Sequence, residues 1–216
     1  MLNYKRIVTE FLDENTYILY NDEKNCIIID PGFGFDLINS FIVSNNLKPL
    51  AILATHAHFD HIASASNFIK EYDIDFYLCE KEKTIVENFE RAAAFWGIGG
   101  VENGIAVERP QVSHWIKCDK KTLTIEDFNF SLIFNPGHSP GSISFVIEDL
   151  VFCGDLIFKE SIGRTDLPLG SPIDMKQSLT FFVNSFKNDC KLLPGHREET
   201  TLWEELKHNP FLRNEE

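Results

Sequence analysis

Thr55-His56-Ala57-His58-Phe59-Asp60-His61 places three histidines and an aspartate within six residues, directly after the apolar run Leu50-Ala51-Ile52-Leu53-Ala54. A short apolar run ending in a polar cluster predicts a buried strand that delivers side chains to a loop. His56 and His58 are two apart, so in extended chain they point the same way. Asp60 and His61 fall where a helix begins. Neutral imidazole and carboxylate are common ligands of zinc and other first-row metals. The stretch therefore reads as a metal loop, against the plainer alternative of a polar loop that happens to hold histidines.

Upstream, Tyr17-Ile18-Leu19-Tyr20 and Cys26-Ile27-Ile28-Ile29-Asp30 predict two strands joined by the turn-rich Asn21-Asp22-Glu23-Lys24-Asn25, and Asp30-Pro31-Gly32 ends the second sharply. Leu37, Ile38, Phe41 and Ile42 have helical spacing over 35–46. Downstream, Ile62, Ala65, Phe68, Ile69 and Tyr72 predict one amphipathic helix starting near His61. A short strand at Asp75-Phe76-Tyr77-Leu78 and a helix over 81–96 follow. Residues 97–116, punctuated by glycines and Pro110, read as irregular: a flap near the loop or a surface connection.

The second half predicts strands at 122–125, 128–134, 143–147 and 151–153, a helix at 173–186, a strand at 191–193 and a last helical segment over 199–207. Three of these strands end as the first metal loop does. Asn135-Pro136-Gly137-His138, Gly154-Asp155 and Pro194-Gly195-His196 each put a potential ligand just past an apolar run. A lone histidine after a turn is a weak signal. Four such strand ends in one chain are a strong signal for a metal centre.

The order His-x-His-x-Asp-His, then His, Asp and His, resembles the metallo-β-lactamase superfamily, over about Tyr17 to Leu212. The nearest branch is similar to the compact hydroxyacylglutathione hydrolases (type II glyoxalase-like). The resemblance rests on Asn135-Pro136-Gly137-His138-Ser139-Pro140-Gly141-Ser142, Gly154-Asp155-Leu156-Ile157-Phe158, Ile162-Gly163-Arg164-Thr165-Asp166-Leu167-Pro168, Pro194-Gly195-His196 and Asn209-Pro210-Phe211-Leu212. It implies an α+β fold, the αββα four-layer sandwich, as a single domain over 1–216 without the helical C-terminal extension that supplies much of the glutathione contact in longer members. It also implies two divalent metal ions, zinc first, with iron or manganese as alternatives. His56, His58 and His138 are assigned to one ion, Asp60, His61 and His196 to the other, and Asp155 to both. The implied reaction is hydrolysis of an S-(2-hydroxyacyl)glutathione or related thiol ester by a metal-bridging hydroxide. Asp60 doubles as the orienting catalytic group, and Arg164 is the candidate contact for a substrate carboxylate, with a structural ion pair as its alternative.

Composition narrows the partners. With 20 Lys and Arg against 33 Asp and Glu, the formal net charge is −13. Such a field repels nucleic acid and anionic membrane surfaces, which leaves a small-molecule thiol ester as the expected partner; oligomeric state is not legible. Five scattered cysteines with no C-x-x-C spacing suit reduced thiols. The N-terminus lacks a signal-peptide pattern and no segment has the apolar length of a membrane span, so a cytoplasmic location is expected. The same N-terminus disfavours an exported, antibiotic-degrading lactamase. Two other activities stay open: a mononuclear-iron glutathione persulfide dioxygenase using His56, His58 or His138 with Asp155, and a lactonase. His114 and His208 read as surface residues, and Trp96, Trp115 and Trp203 as packing anchors.

Overall fold

Ile27, Ile28 and Ile29 are all fully buried, which marks their strand as a central one with both faces covered. A computed structural model describes residues 1–98 and 108–213, and they group into two compact units, Met1–Ile116 and Lys117–Glu216. In the first unit, β1 (Leu2–Val8), β2 (Asn15–Asn21), β3 (Asn25–Ile29), β4 (Lys48–Leu53), β5 (Asp75–Cys79) and β6 (His114–Ile116) form one sheet in chain order. The pairing is antiparallel from β1 to β3 and parallel from β3 to β6.

Parallel strands need crossovers. Helix α1 (Phe35–Ser44) joins β3 to β4 and buries Ile38 and Ile42. Between β4 and β5 lie α2 (Phe59–Ile62) and α3 (Ala65–Tyr72). These residues share a core with Ile18, Ile28, Ile52, Phe68 and Phe76. The crossovers bring the ends of β3 and β4, and the turn after β5, to one end of the sheet.

In the second unit the strands are β7 (Thr122–Ile125), β8 (Phe128–Phe134), β9 (Ile143–Ile147), β10 (Leu150–Gly154), the small hairpin β11 (Ile157–Phe158) with β12 (Ser161–Ile162), then β13 (Lys191–Pro194) and β14 (Thr200–Thr201). The sheet runs β14-β13-β10-β9-β8-β7, antiparallel except for β10 against β13. Helix α6 (Pro172–Asn184) supplies that parallel crossover. Ser171 accepts from the Asp174 amide at its N-terminus and Pro172 fills the first helical position, where no backbone N–H is needed. Met175, Leu179 and Phe182 of α6 pack with Val151, Cys153 and Leu192. The chain closes with α7 (Leu202–His208).

The structure departs from the expected elements at several places, among them the hairpin β11–β12 and the strand β14, where helix was expected from 199. The strand β1 lies outside the predicted elements; its alternating burial is shallow, and only Ile7 in it is buried. The helix expected from His61 is two helices, because Ser64 leaves the ladder: its amide bonds to Pro31 O at 3.0 Å and its hydroxyl to Gly32 O at 2.5 Å. The helix expected over 81–96 is a 3-10 turn, Glu80–Glu82, then α4 (Lys83–Glu87) and α5 (Phe89–Phe95), parted at Asn88. Lastly, 114–116 is the edge strand β6 rather than irregular chain. Residues 99–107, within the segment read as a flap or connection, lie outside the described ones.

Candidate metal centre

The first unit gathers the whole opening motif. His56 and His58 stand with ring centroids 4.7 Å apart at 84°, and His56 and His61 are 4.1 Å apart. Ligand atoms of His56 and His58, of His56 and His61, and of Asp60 and His61 each lie within 4.8 Å of one another. All but the half-exposed His58 are buried. Phe59, between His58 and Asp60, fixes the turn by packing on Phe11, Phe33 and Trp96, with centroids 5.5, 5.8 and 6.3 Å away.

Asp30 holds this loop from beneath. Its backbone is left-handed, with φ 49°, a conformation that Asp tolerates better than most residues. The carboxylate accepts from the Thr55 amide at 2.7 Å, the Thr55 hydroxyl at 2.6 Å and His61 Nδ1 at 3.1 Å. Those contacts fix two tautomers. His61 carries its proton on Nδ1. Thr55 has one hydroxyl proton and gives it to Asp30, so at 3.1 Å it accepts from Nδ1 of His56. Both rings therefore present Nε2 lone pairs, the orientation that outer carboxylates and hydroxyls impose on metal-binding histidines.

The second unit repeats the device. His138 Nδ1 donates to the Arg164 carbonyl at 2.7 Å, which leaves Nε2 as its ligand atom. That Nε2 faces Asp155 Oδ2 at 3.3 Å, and His196 Nε2 faces the same oxygen at 3.7 Å. A lone pair held against a carboxylate oxygen is a cation-binding donor set; Asp60 Oδ2 and His61 Nε2, 3.8 Å apart, are arranged alike. Nitrogen and carboxylate donors at these separations fit a borderline metal such as zinc or iron. Asp155 itself is held by close packing: a Cβ on Gly163 would stand 1.9 Å from its carbonyl oxygen.

A model of the metallo-beta-lactamase superfamily matches residues 9–194. The hydroxyacylglutathione hydrolase GloC of Haemophilus influenzae is 28% identical over 216 residues, covering 99% of both chains. The crystal structure of BLEG-1 B3 metallo-beta-lactamase superposes with TM-score 0.88 at 33% identity, covering 98% of this chain and 100% of that one. TTHA1623 in a di-iron-bound form gives TM-score 0.84 at 32% identity, with 96% and 100% covered. This chain belongs to the metallo-beta-lactamase superfamily.

It is a metal-dependent hydrolase of that superfamily, with the expected α+β sandwich fold. Other sequence-derived candidates fare differently. Arg164 has its guanidinium in solvent, paired with both carboxylate oxygens of Asp166 at 2.7 and 2.9 Å; its contact with the centre is the carbonyl that holds His138. That pairing lowers the Asp166 carboxyl to about 2. His114 stacks on Tyr77 and bonds to Asp75 at the exposed strand edge. His208 is exposed and stands 3.6 Å from Glu204. Trp96 and Trp115 do pack, on Phe59 and under Lys83, whereas Trp203 is 59% exposed.

The sequence reading missed three buried carboxyls around the loop. Asp30 ends a predicted strand, Glu82 falls inside the helix predicted over 81–96, and no motif or period points to Glu14. Glu14 is fully buried; its Oε2 accepts from Thr9 and Thr16, and Oε1 has no hydrogen-bond partner among the described residues. Burial pushes this carboxyl well above the usual range, with His61 opposing the shift. Gly32 exists to admit it: a Cβ there would lie 2.0 Å from Glu14 Oε2 and 2.7 Å from Asp60 O. The one legible signal was Asp30-Pro31-Gly32, a turn too elaborate for a plain strand exit.

Proposed function

We propose that the two ligand sets close on one dinuclear centre and that the enzyme is a thioesterase acting on S-(2-hydroxyacyl)glutathione or a related thiol ester. His56, His58 and His138 would hold one ion, Asp60, His61 and His196 the other, with Asp155 shared. The observation that carries this reading is the Asp155 oxygen facing both His138 Nε2 and His196 Nε2, the placement a shared carboxylate needs to offset two nearby cations. The 28% identity to GloC along the whole chain supports the substrate class, and the di-iron form of TTHA1623 supports two ions.

Bound there, divalent ions would polarise the substrate carbonyl and make water acidic enough to serve as a nucleophile near neutral pH. The residues do the rest. Asp30, Thr55 and the Arg164 carbonyl keep the His61, His56 and His138 protons on Nδ1. Asp60, buried in the wall that Phe59 builds, orients the attacking water. A thiolate leaves with a solution pKa of about 8.5, so no strong general acid is required, whereas an amide would need its leaving nitrogen protonated. Arg164 meets a substrate carboxylate by exchanging it for exposed Asp166.

Hydrolysis of S-lactoylglutathione by wild type, His56→Ala and Asp155→Ala protein tests this. The reading expects turnover in wild type and its loss in both variants. Equal turnover in all three refutes it, and turnover of an acyl-homoserine lactone or a β-lactam without any thioester activity reassigns the carbonyl substrate.

A further inference from the structure

Glu82 is a fully buried carboxylate that the proposed reaction does not use. It ends the 3-10 turn after β5, and β5 lies parallel beside β4. The turn after one strand therefore lies next to the metal loop that follows the other. Its Oε2 accepts the Ala57 amide at 2.7 Å, the short distance of a charge-assisted bond. Ala57 is itself buried and sits between His56 and His58.

We propose that Glu82 is a positioning residue for the metal centre, acting through the Ala57 amide to hold the His56 and His58 imidazoles in ligating register. The inference rests on the dinuclear reading above. Asp30 already clamps the loop at Thr55 and His61, leaving the stretch between them to be fixed from elsewhere. A peptide plane turns only about the one soft dihedral that flanks it on each side. Fixing the Ala57 N–H therefore limits rotation of the peptide that joins His56 to Ala57, and with it the direction of both rings. Without the acceptor, this buried N–H would turn to find another partner, and the perpendicular arrangement of the two rings would go with it. The site that uses His56 and His58 would weaken, while the site of Asp60, His61 and His196 would keep its Asp30 support.

The test titrates cobalt(II) against a chromophoric chelator, using metal-free wild type, Glu82→Gln and Glu82→Ala. The glutamine amide oxygen keeps the acceptor, so Glu82→Gln should bind two equivalents within a few-fold of wild type. Glu82→Ala should hold one equivalent normally and the other about 10- to 100-fold more weakly, the usual cost of losing an outer support. Two unchanged equivalents in Glu82→Ala, or equal weakening in both variants, overturn the inference alone. A wild type that binds no cobalt overturns the dinuclear reading along with it. Should Glu82→Ala not fold, amide exchange decides: the Ala57 proton should exchange slowly and its resonance should move in Glu82→Gln. Fast exchange with an unmoved resonance overturns the proposal.

Discussion

Oδ2 of Asp30 lies 3.1 Å from Nδ1 of His61, and both side chains are buried. That single contact joins the end of β3 to the helix that follows β4, and it sets which nitrogen of His61 faces the centre. Asp30→Asn keeps an oxygen for the Thr55 amide but cannot serve all three donors. The expected result is a loss of about 10- to 100-fold in affinity for the ion that His61 holds, read by chelator competition, with the fold retained by circular dichroism. Undiminished affinity would mean that the contact does not orient the ring.

Much of this could be read from the chain, for a physical reason. The seven expected ligands follow strands with strong apolar runs, so period and punctuation locate them; His56, His58, His138, Asp155 and His196 lie in the turns after strands, and Asp60 and His61 lie in the short helix α2. The buried supports are hidden because Asp30 sits in a bend, Glu82 in a 3-10 turn and Glu14 just before β2, at element ends where polar residues are ordinary and carry no period. The broken helices were hidden for a related reason. Ser64 and Asn88 interrupt ladders whose apolar stripes continue past them, and only the tertiary acceptors of Ser64, Pro31 O and Gly32 O, reveal the first break.

Gly163→Ala should damage the centre without touching a ligand. The added methyl would meet the Asp155 carbonyl oxygen at 1.9 Å, and relief requires backbone movement costing about 1–3 kcal/mol. Chemical denaturation should show that loss together with a fall in turnover, since Asp155 moves with its own carbonyl. Wild-type stability and turnover would contradict the packing described.

The buried Glu14 gives metal-free protein a pH signature. Its folded-state pKa is raised, so folded chain holds the proton where unfolded chain has released it. Stability from this group is full below the ordinary carboxylate range and falls as pH rises above about 4–5. Glu14→Gln removes the proton and with it that fall. Urea midpoints at about pH 5 and about pH 8 should therefore differ less in Glu14→Gln than in wild type; an equal difference would place the pH dependence elsewhere.

Thiol accessibility checks the core independently. Cys26, Cys79, Cys153 and Cys190 are buried and Cys118 is half-buried. Burial raises the Cys26 and Cys190 thiols to about 12 and pushes Cys153 up as well. Since the thiolate is the reactive form, native protein at mildly alkaline pH should take up one equivalent of alkylating agent, at Cys118, and five after denaturation. Rapid labelling of Cys153 in native protein would contradict the packing beneath Asp155.

Metal analysis of protein purified without chelators, paired with S-lactoylglutathione hydrolysis, tests the central claim most directly. Two divalent ions per chain, with thioester turnover that disappears on metal removal and returns on reloading, is the result expected. One iron per chain, with oxygen uptake on glutathione persulfide and no thioester hydrolysis, would contradict it.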